Sequence, residues 1–354
     1  MTRKVSIGGI TIGGGSPVAV QSMCSTKTKD TDKTIAQIKR LEKAGCEIVR
    51  CGIPDMESAK ALSVIKKKIK IPLVADIHYD YKLALASIEN GADKIRINPG
   101  NIGSTDRVEA VIAAAKKKKC AVRIGVNSGS LKETSSFKLA KKSGNGRADR
   151  MVASLMEHVT FFEERGFRDI VISLKASDIL TTIAAYKLAA QYTDCPAHIG
   201  ITEAGTELGG IIKSSVGLGI LLHDGIGDTM RVSLTAEPEK EVFAAYRILG
   251  ALDIRKRGAD IISCPTCART EIDVIKLAHM VEELTMNLEK PLKIAVMGCS
   301  VNGPGEASEA DIGVAGGRGI GLIFKKGVII KRVPKKELMR EFLKELNKIS
   351  KRSI

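Results

Sequence analysis

Three cysteines and one carboxylate form the part of this sequence that is best equipped for metal chemistry. Cys264 and Cys267 are the two ends of a Cys-Pro-Thr-Cys motif, and Cys299 begins a Gly/Pro-rich segment that ends near Glu306. Two cysteines at this spacing can bind one soft metal centre, and a third from a distant loop adds another thiolate. Electron-carrier clusters normally use four thiolates, so a carboxylate in the fourth position predicts an iron whose last ligand can be exchanged for substrate.

A structural zinc site is the main alternative for these cysteines, with His279 or a water molecule as the fourth ligand. Disulfides are not expected, because residues 1–15 lack the unbroken apolar core of a signal peptide. No stretch reaches the roughly 18 apolar residues of a membrane helix. The sequence therefore predicts a cytoplasmic protein without membrane contact, and in that reducing compartment a Cys-x-x-Cys pattern indicates metal or redox chemistry.

The elements that must position this chemistry are strands and helices that alternate from residue 18 to residue 252. Eight apolar strands each precede an amphipathic helix, which predicts an α/β fold, a (β/α)8 TIM barrel, with an open doubly wound sheet as the alternative. A composition that is 44% hydrophobic but only 3% aromatic suits parallel strands covered by helices. The predicted strands are 18–21, 48–51, 73–76, 94–98, 122–126, 170–174, 197–200 and 229–233, and the predicted helices are 31–44, 56–67, 81–90, 107–115, 148–165, 178–191, 208–223 and 238–249.

The chain length of 354 residues suits one large and one small domain. We expect a substrate-binding TIM barrel over residues 1–255, with an N-terminal hairpin that plugs or covers it. Residues 256–354 are expected to form a small α/β iron-sulfur domain, in which strands 260–263 and 293–297 lead directly into the cysteines. A hairpin and a closing helix are predicted after them, at residues 313–331 and 335–349.

Polar side chains stand at the carboxyl ends of the predicted strands, where the active sites of such barrels lie. They are Arg50, Asp76, His78, Arg96, Asn98, Arg123, Asn127, Lys175, Glu203, Arg231 and Ser233. Because alternate residues of a strand point the same way, the five cations of this set should converge on one mouth. Arginine matches the bidentate geometry of phosphate, so the set predicts a small polyanionic ligand, although any one arginine could instead pair with a carboxylate.

The net charge of +16 is compatible with nucleic acid, an acidic membrane surface, an acidic protein or a phosphorylated small molecule. The lysine runs at 66–68, 116–119 and 335–336 fall at predicted helix ends or connections, which is typical of a solvated surface. No aromatic residues alternate with these lysines, so the stacking platform of a single-strand binder is missing. We therefore expect no nucleic-acid partner.

Two connecting segments bear on how the sites work. Residues 128–147, after the fifth strand, are rich in Ser, Gly and Lys, and we expect them to be a mobile cover over the active face. The eighth helix returns the chain to the opposite face, about 20 Å away for about 13 residues. Residues 255–259 span at most about 17 Å when extended, too little to bring the cysteines back over the same mouth. If the two sites cooperate, the sequence predicts a head-to-tail homodimer in which each small domain covers the other chain's barrel.

Five motifs of this sequence together resemble one enzyme family. They are Ser-Cys-Pro-Thr-Cys at 263–267, Gly-Cys-Ser-Val-Asn-Gly-Pro-Gly-Glu-Ala at 298–307, Ala-Asp-Ile-His at 75–78, Arg-Ile-Asn-Pro-Gly-Asn at 96–101 and Gly-Ile-Thr-Glu-Ala-Gly at 200–205. With them the chain resembles the 4-hydroxy-3-methylbut-2-enyl diphosphate synthase family, the iron-sulfur enzymes of the methylerythritol phosphate route to isoprenoids. The resemblance runs from the N-terminal hairpin past Phe324 and is to the two-domain bacterial form.

The resemblance implies reductive ring opening of 2-C-methyl-D-erythritol 2,4-cyclodiphosphate, with two electrons delivered through a [4Fe-4S] cluster from flavodoxin or ferredoxin. The implied cluster ligands are Cys264, Cys267, Cys299 and Glu306. The implied substrate contacts are Arg50, Asp76, His78, Arg96, Asn98, Arg123, Asn127, Lys175, Arg231 and Ser233. Glu203 is expected to protonate the departing hydroxyl, and Glu306 and His78 complete the expected catalytic set.

Two other classes of protein are the alternatives when the residues are considered without the resemblance. One is a phosphate-binding barrel transferase of the pterin-synthase kind with a zinc-stabilised appendage. The other is a nucleic-acid binder that uses a zinc ribbon. Iron in place of zinc in the purified protein would argue against both, and binding to DNA or RNA that weakens steeply with salt would favour the second.

Overall fold

The computed structural model describes residues 1–127, 135–286, 288–300, 305 and 307–350. The chain divides into two compact units, Met1–Arg255 and Lys256–Ile354. No helix within the described residues is long and apolar enough to cross a membrane.

The first unit begins with a hairpin of β1 (Val5–Ile7) and β2 (Ile10–Ile12). Its turn is formed by Gly8 and Gly9, whose φ angles of +53° and +94° favour glycine. The apolar side chains of the hairpin pack on residues near the amino-terminal ends of the barrel strands, namely Ala19, Ile48, Val74, Ala121 and Val171. The hairpin therefore plugs the end of the barrel opposite the predicted active face.

Eight parallel strands form the barrel in the order β8-β7-β6-β5-β4-β3-β10-β9. They are β3 (Ala19–Met23), β4 (Ile48–Gly52), β5 (Leu73–Asp76), β6 (Lys94–Ile97), β7 (Ala121–Asn127), β8 (Ile170–Lys175), β9 (His198–Ile199) and β10 (Thr229–Met230). A parallel bridge between Ile172 and Ala197 joins the two ends of the sheet and closes it. The predicted TIM barrel is confirmed, and the open sheet is excluded.

Helices cover the outside of the barrel between successive strands. They are α1 (Thr31–Ala44), α2 (Met56–Lys66), α3 (Tyr81–Glu89), α4 (Pro99–Ile102), α5 (Thr105–Lys118), α6 (Gly146–Glu164), α7 (Ile179–Ala189), α8 (Glu207–His223) and α9 (Pro238–Ala251). Asp30, Asp55, Asp80 and Asp178 cap four of them by accepting hydrogen bonds from first-turn amides. The four-residue helix α4 was not predicted, because it lies in the connection between the predicted strand 94–98 and the predicted helix 107–115 and is too short to show a helical apolar period.

The second unit is a five-stranded sheet with helices, in the order β11-β12-β13-β14-β15. Its elements are β11 (Ala259–Ser263), α10 (Val274–Thr285), β12 (Leu292–Met297), β13 (Ile312–Gly316), β14 (Ile320–Lys325), β15 (Val328–Pro334), a 3-10 turn (Lys335–Glu337) and α11 (Leu338–Ser350). The first three strands are parallel and the last two antiparallel. The single predicted hairpin at 313–331 is wrong in extent: two successive hairpins occur, because β14 pairs antiparallel with both β13 and β15.

Part of the long segment after β7 is packed against the barrel. Residues 128–134 lie outside the described residues. Further along, Phe137 and Leu139 contact the barrel core, and the hydroxyl oxygen of Tyr192 accepts a hydrogen bond from the Lys141 amide. The movement of this segment over the active face stays a prediction.

Candidate functional site

A ring of charged side chains surrounds the carboxyl ends of the barrel strands, and we call it the cation cup. Its members come from six different strands or from the residues that directly follow them. Alternate residues of a strand face the barrel axis, so these side chains point into the barrel. They are Arg50, Asp76, Arg96, Arg123, Lys175 and Arg231. The first five are buried and Arg231 is half-buried. The predicted convergence of these cations is therefore present in the fold.

Asp76 is the carboxylate around which part of the cup is arranged. Its Oδ1 lies 3.4 Å from an Arg96 terminal nitrogen, and its Oδ2 lies 3.9 Å from Arg50 Nε and 3.5 Å from His78 Nε2. Burial alone would raise the pKa of Asp76, but Arg50, the His78 hydrogen bond, Arg96 and Arg123 outweigh it and hold the pKa well below its ordinary value. Asp76 is therefore an ionised anchor for the arginines.

Arg231 is neutralised by a residue that the sequence analysis did not identify. Glu241, on α9, accepts from Arg231 Nε at 3.0 Å and from a terminal nitrogen at 2.8 Å. Its Oε2 also accepts from the Ser22 hydroxyl at 3.0 Å, and the Glu241 side chain is buried. Arg231 is thus held in a bidentate ion pair, the alternative that the sequence had left open for any single arginine.

Arg123 and Lys175 have no such carboxylate partner within the described residues. Arg123 is 2% exposed, and its Nε and one terminal nitrogen have no hydrogen-bond partner there. Burial, then Arg50 and Arg96, lower the pKa of Arg123 well below its ordinary value, and burial with Arg123 and Arg50 does the same for Lys175. Buried polar groups are normally hydrogen-bonded, so these donors indicate a site built for an anion.

Lys94 is a further buried cation that the sequence analysis missed. It precedes Arg96 by two residues on β6 and so faces the same side of the strand. The ammonium nitrogen donates to Gln21 Oε1 at 3.3 Å. The two-residue spacing between Lys94 and Arg96 could have indicated from the sequence that both side chains face the barrel interior. A lysine at the start of a strand is, however, usually exposed.

Two glycines leave the space that the cup cations occupy. A Cβ on Gly125 would lie 3.2 Å from Arg96 Nε, and a Cβ on Gly200 would lie 2.5 Å from Lys175 Nζ and 2.8 Å from the Arg231 carbonyl oxygen. Neither glycine has a positive φ angle. Close approach of the cations, and not backbone conformation, explains these glycines.

Gly200→Ala is expected to displace Lys175 and weaken binding of inorganic diphosphate roughly tenfold, the loss of one charge-assisted hydrogen bond. Overpacking should also destabilise the barrel by about 1–3 kcal/mol. Titration calorimetry and thermal unfolding measure the two effects. Gly146→Ala is the matched control, because a Cβ there meets no atom within 4 Å. Equal affinities for the two variants would show that Lys175 does not need this space.

The remaining predicted substrate residues lie at the rim of the cup. Asn98 caps α4 by accepting from the Gly100 amide at 3.2 Å, and it is largely buried. Asn127 ends β7 and Ser233 follows β10, and both are half-buried. A cavity of about 790 Å³ opens beside Asp76 and His78 and is bordered by Met23 and Cys24. It adjoins the cup on the side of β3 to β5.

Glu203 lies on an exposed turn after β9 and has a φ angle of +54°. Residues other than glycine seldom adopt this left-handed conformation, and it costs about 1 kcal/mol or more. Such strain is often found at functional positions. The strain is consistent with a functional Glu203 and does not by itself assign a role.

The cysteines follow neighbouring parallel strands of the second unit. Cys264 comes directly after β11 and Cys299 two residues after β12, and these strands are paired in register at Ser263 and Val296. The Gly298 amide donates to Cys264 Sγ at 3.1 Å, which brings the first cysteine to the loop that carries the third.

Cys267 is exposed and is surrounded by hydrogen-bond donors. Hydrogen bonds from the backbone and side chain of Arg269, together with Thr270, lower the pKa of the Cys267 thiol below its ordinary value. A thiolate is the form that binds iron. Glu306, the predicted fourth ligand, lies outside the described residues. Three cysteines on adjoining turns are a donor set that fits an iron-sulfur cluster.

The other cysteines are buried, and all are free thiols: Cys24, Cys46, Cys51, Cys120 and Cys195. Cys195 belongs to the one group of three potential metal ligands that the described residues bring within 4.8 Å, with Glu163 and Asp194. Arg3 occupies this group: its guanidinium contacts Glu163 and lies 2.7 Å from Asp194 and 3.0 Å from Cys195 Sγ. The group anchors the N-terminus through Arg3.

Comparison with known proteins identifies the family. A family model described as the GcpE TIM-barrel domain matches residues 2–246, and one described as the GcpE protein C-terminal domain matches residues 260–348. The chain belongs to the GcpE family. Two curated relatives, both named 4-hydroxy-3-methylbut-2-en-1-yl diphosphate synthase (flavodoxin), are 55% identical to it. The relative from Caldanaerobacter subterraneus subsp. tengcongensis aligns over 351 residues, 99% of this chain and 98% of its own. The relative from Maridesulfovibrio salexigens aligns over 346 residues, which are 98% of this chain and 96% of its own.

Solved structures of another enzyme share the GcpE barrel. Dihydropteroate synthase from Yersinia pestis has a TM-score of 0.50 at 14% identity and covers 72% of this chain and 100% of its own. The enzyme from Stenotrophomonas maltophilia has a TM-score of 0.51 at 14% identity and covers 71% of this chain and 98% of its own. At this identity the likeness shows the fold alone. The predicted family and its enzyme class, an oxidoreductase of isoprenoid biosynthesis, are confirmed by the GcpE match and the curated relatives.

Proposed function

We propose that this GcpE-family chain converts 2-C-methyl-D-erythritol 2,4-cyclodiphosphate to 4-hydroxy-3-methylbut-2-enyl diphosphate. The observation that carries the proposal is the cation cup, in which buried arginines and a buried lysine outnumber the carboxylates that face them. A cyclic diphosphate is a compact polyanion of the size that such a cup accepts. The reaction takes up two electrons, breaks the ring C–O bond to phosphate and releases one hydroxyl as water.

The cup residues bind and orient the diphosphate. Arg50, Arg96, Arg123 and Lys175 grip the phosphates, while Asp76 keeps two of these arginines in place. His78, Asn98, Asn127, Arg231 and Ser233 orient the carbon skeleton and its hydroxyls. Arg231 reaches the ligand with its geometry already set by Glu241, so little side-chain entropy is lost on binding.

The second domain holds the cofactor in this proposal. Cys264, Cys267, Cys299 and Glu306 bind a [4Fe-4S] cluster, which supplies the two electrons when it is bound. The Arg269 and Thr270 donors around Cys267 favour its thiolate and so favour loading. Residues 1–255 are then the substrate-binding domain and residues 256–354 the cluster-binding domain.

Glu203→Gln is expected to bind substrate normally and to lower kcat by about 10²–10⁴, the usual worth of a general acid. Glutamine keeps the size of the side chain but cannot protonate the departing hydroxyl. Steady-state kinetics with a chemical reductant separate kcat from KM. Glu207→Gln is the control, because this exposed carboxylate on α8 pairs with Lys240. Unchanged turnover in Glu203→Gln would exclude the proton role.

Flavodoxin or ferredoxin is the proposed electron donor, in the cytoplasm. Both are acidic proteins, and a net charge of +16 favours their encounter with this chain. We propose no nucleic-acid or membrane partner.

A head-to-tail homodimer is the proposed assembly. Arg255, the last residue of the first unit, donates to the Val18 carbonyl oxygen at 2.6 Å and pairs with Glu47 at 2.8 Å. Both partners precede strands, so the chain leaves the barrel at the face opposite the cup. The residues from Arg255 to the start of β11 at Ala259 span at most about 17 Å when extended. A connection this short favours a dimer in which the cysteines of one chain act at the cation cup of the other.

An apolar stripe on α8 supports the association of two copies. Leu208, Ile212, Val216 and Ile220 recur every four residues and are 74%, 55%, 49% and 40% exposed. Residues at this spacing share one face of a helix. A self-complementary contact of two such stripes is the arrangement that a two-fold dimer uses.

Chains that carry Cys267→Ser, mixed with chains that carry Arg123→Met, are expected to regain about a quarter of wild-type turnover. At a substrate concentration near the wild-type KM each variant alone should turn over little or no substrate, but half of randomly mixed dimers pair one intact cluster with the other chain's intact cup. Turnover after refolding or co-expression measures the recovery. Introducing Ile212→Lys into both chains should prevent it, while Val64→Lys, on α2, should not. No recovery in mixed dimers would contradict the shared site.

Anaerobic purification and assay test the function as a whole. The protein should be brown, contain iron in place of zinc, and convert the cyclic diphosphate to the linear product in the presence of dithionite, as followed by mass spectrometry. Zinc without iron, or a folded iron-loaded protein that leaves the substrate unchanged, would contradict the proposal.

A further inference from the structure

Below the cation cup, the barrel interior contains a second polar layer, which we call the barrel floor. It is formed by Gln21 on β3, Lys94 on β6, His198 on β9 and Thr229 on β10. All four are at most 1% exposed. A barrel interior is usually filled by branched apolar side chains, so this layer calls for a chemical explanation.

Lys94 on this floor has no carboxylate partner within the described residues. Its ammonium nitrogen donates to the neutral Gln21 amide oxygen at 3.3 Å, and the Gln21 amide nitrogen has no partner there. Burial, then Arg123 and Arg50, lower the pKa of Lys94 well below its ordinary value, and only the distant Cys120 thiol opposes them. Burial beside a single neutral partner disfavours the charged ammonium form of Lys94 while the cup is empty.

Among the residues that the structure describes, no carboxylate acts on Lys94. The charged and titratable side chains that act electrostatically on Lys94 or His198 are Arg50 on β4, Arg123 on β7, Lys175 on β8 and the thiol of Cys120. Asp76, on β5, is engaged by Arg50, Arg96 and His78. An anion in the cup would be the nearest compensating charge for a protonated Lys94.

His198 is the second titratable group of the floor. Its Nδ1 lies 2.8 Å from the Thr229 hydroxyl, and its Nε2 has no partner within the described residues. Burial, then Lys175 and Arg123, lower the pKa of His198 well below its ordinary value. The bond to Thr229 engages one ring nitrogen of His198, whereas the Lys94 amine has only the Gln21 amide oxygen beside it. Of these two floor groups, Lys94 is therefore the one whose charged form an anion in the cup would stabilise more.

We propose that Lys94 takes up a proton when a diphosphate binds in the cup, and so adds a positive charge from beneath it. The inference rests on the proposed function, because it needs the cup to bind a diphosphate. The amine lone pair accepts one proton from solvent, no other bond changes, and the ammonium that forms is stabilised by the bound anion. Lys94 is thus a charge-compensating residue that acts through the field of the cup and is not catalytic.

Proton uptake on binding tests the inference directly. The full-length, cluster-loaded protein is kept without reductant and titrated with inorganic diphosphate in two buffers of different ionisation enthalpy. Near neutral pH, wild-type protein should take up about one proton more per bound diphosphate than Lys94→Met. Protonation of the ligand itself is common to both proteins and cancels. Affinity should fall roughly tenfold to a hundredfold in the variant, because one buried positive charge near the anion is lost.

Two further variants assign the proton to Lys94. His198→Gln should keep the wild-type proton count. If Lys94→Met does not fold, Lys94→Gln takes its place and should show the same loss of about one proton. A proton count that is unchanged in the Lys94 variants, or that is lost in His198→Gln, would overturn the inference while leaving the proposed function standing. Failure of wild-type protein to bind either inorganic diphosphate or the cyclic substrate would overturn both.

Discussion

Cys267→Ser is expected to lose the iron-sulfur cluster and all measurable turnover while the barrel stays folded. A serine hydroxyl does not ionise at neutral pH as a cysteine thiol does, and the hydrogen bonds from Arg269 specifically favour a thiolate at this position. The barrel has its own hydrophobic core, so its folding does not depend on the cluster. Iron analysis, the visible absorption spectrum and the rate of product formation measure the result.

Cys120→Ser is the matched control for this experiment. Cys120 is buried in the barrel, and its thiol faces the Ala121 carbonyl oxygen at 3.6 Å. Its replacement should leave the iron content and colour of the protein unchanged. Retention of iron and turnover in Cys267→Ser would refute the assignment of this cysteine as a ligand.

Arg123→Met is expected to weaken diphosphate binding about a hundredfold or more, the cost of losing a buried charge partner. Arg123 is nearly inaccessible, and two of its guanidinium nitrogens lack partners within the described residues, so its donors are available to the ligand. The same change removes a buried cation that Arg50 and Arg96 repel. The ligand-free variant should therefore melt higher, by about 2–4 °C for each kcal/mol of repulsion relieved.

Opposite changes in affinity and stability distinguish this result from damage to the fold. Calorimetric titration with inorganic diphosphate and thermal unfolding without ligand give the two quantities. Arg165→Met is the control, because Arg165 lies at the end of α6 and pairs with Glu109 on the surface. A variant that binds diphosphate as tightly as wild-type protein would show that Arg123 is not part of the anion site.

The barrel could be predicted closely because its signal is local. Strand β5 and helix α1 begin and end at the predicted residues, since Asp30 caps α1 and Gly45 ends it in a left-handed conformation. Strands β9 and β10 are shorter than predicted, with two residues each. Residues after them, including Arg231, leave the sheet to shape the cup, and a local apolar pattern cannot distinguish a strand from the turn that extends it.

The cup was predictable in its members but not in its pairings. Strand alternation and the rule that active sites lie at carboxyl ends of barrel strands bring Arg50, Arg96 and Arg123 together from sequence alone. The pairing of Arg231 with Glu241 depends on how α9 packs against β3, which no residue pattern encodes. Asn98 likewise became the cap of α4 because the chain turns one residue earlier than its strand pattern indicated.

What the amino-acid sequence determined by itself is the chemistry: three spaced cysteines for a soft metal, cations at strand ends for a polyanion, and eight strand-helix units to bring them into place. Only the tertiary structure decided which of those charges are satisfied. Lys94 resembles an ordinary strand lysine in the sequence, yet the fold places it on the barrel floor with only an amide oxygen for a partner. Burial and charge balance depend on the distances between residues far apart in the chain, and these distances exist only after the barrel has closed.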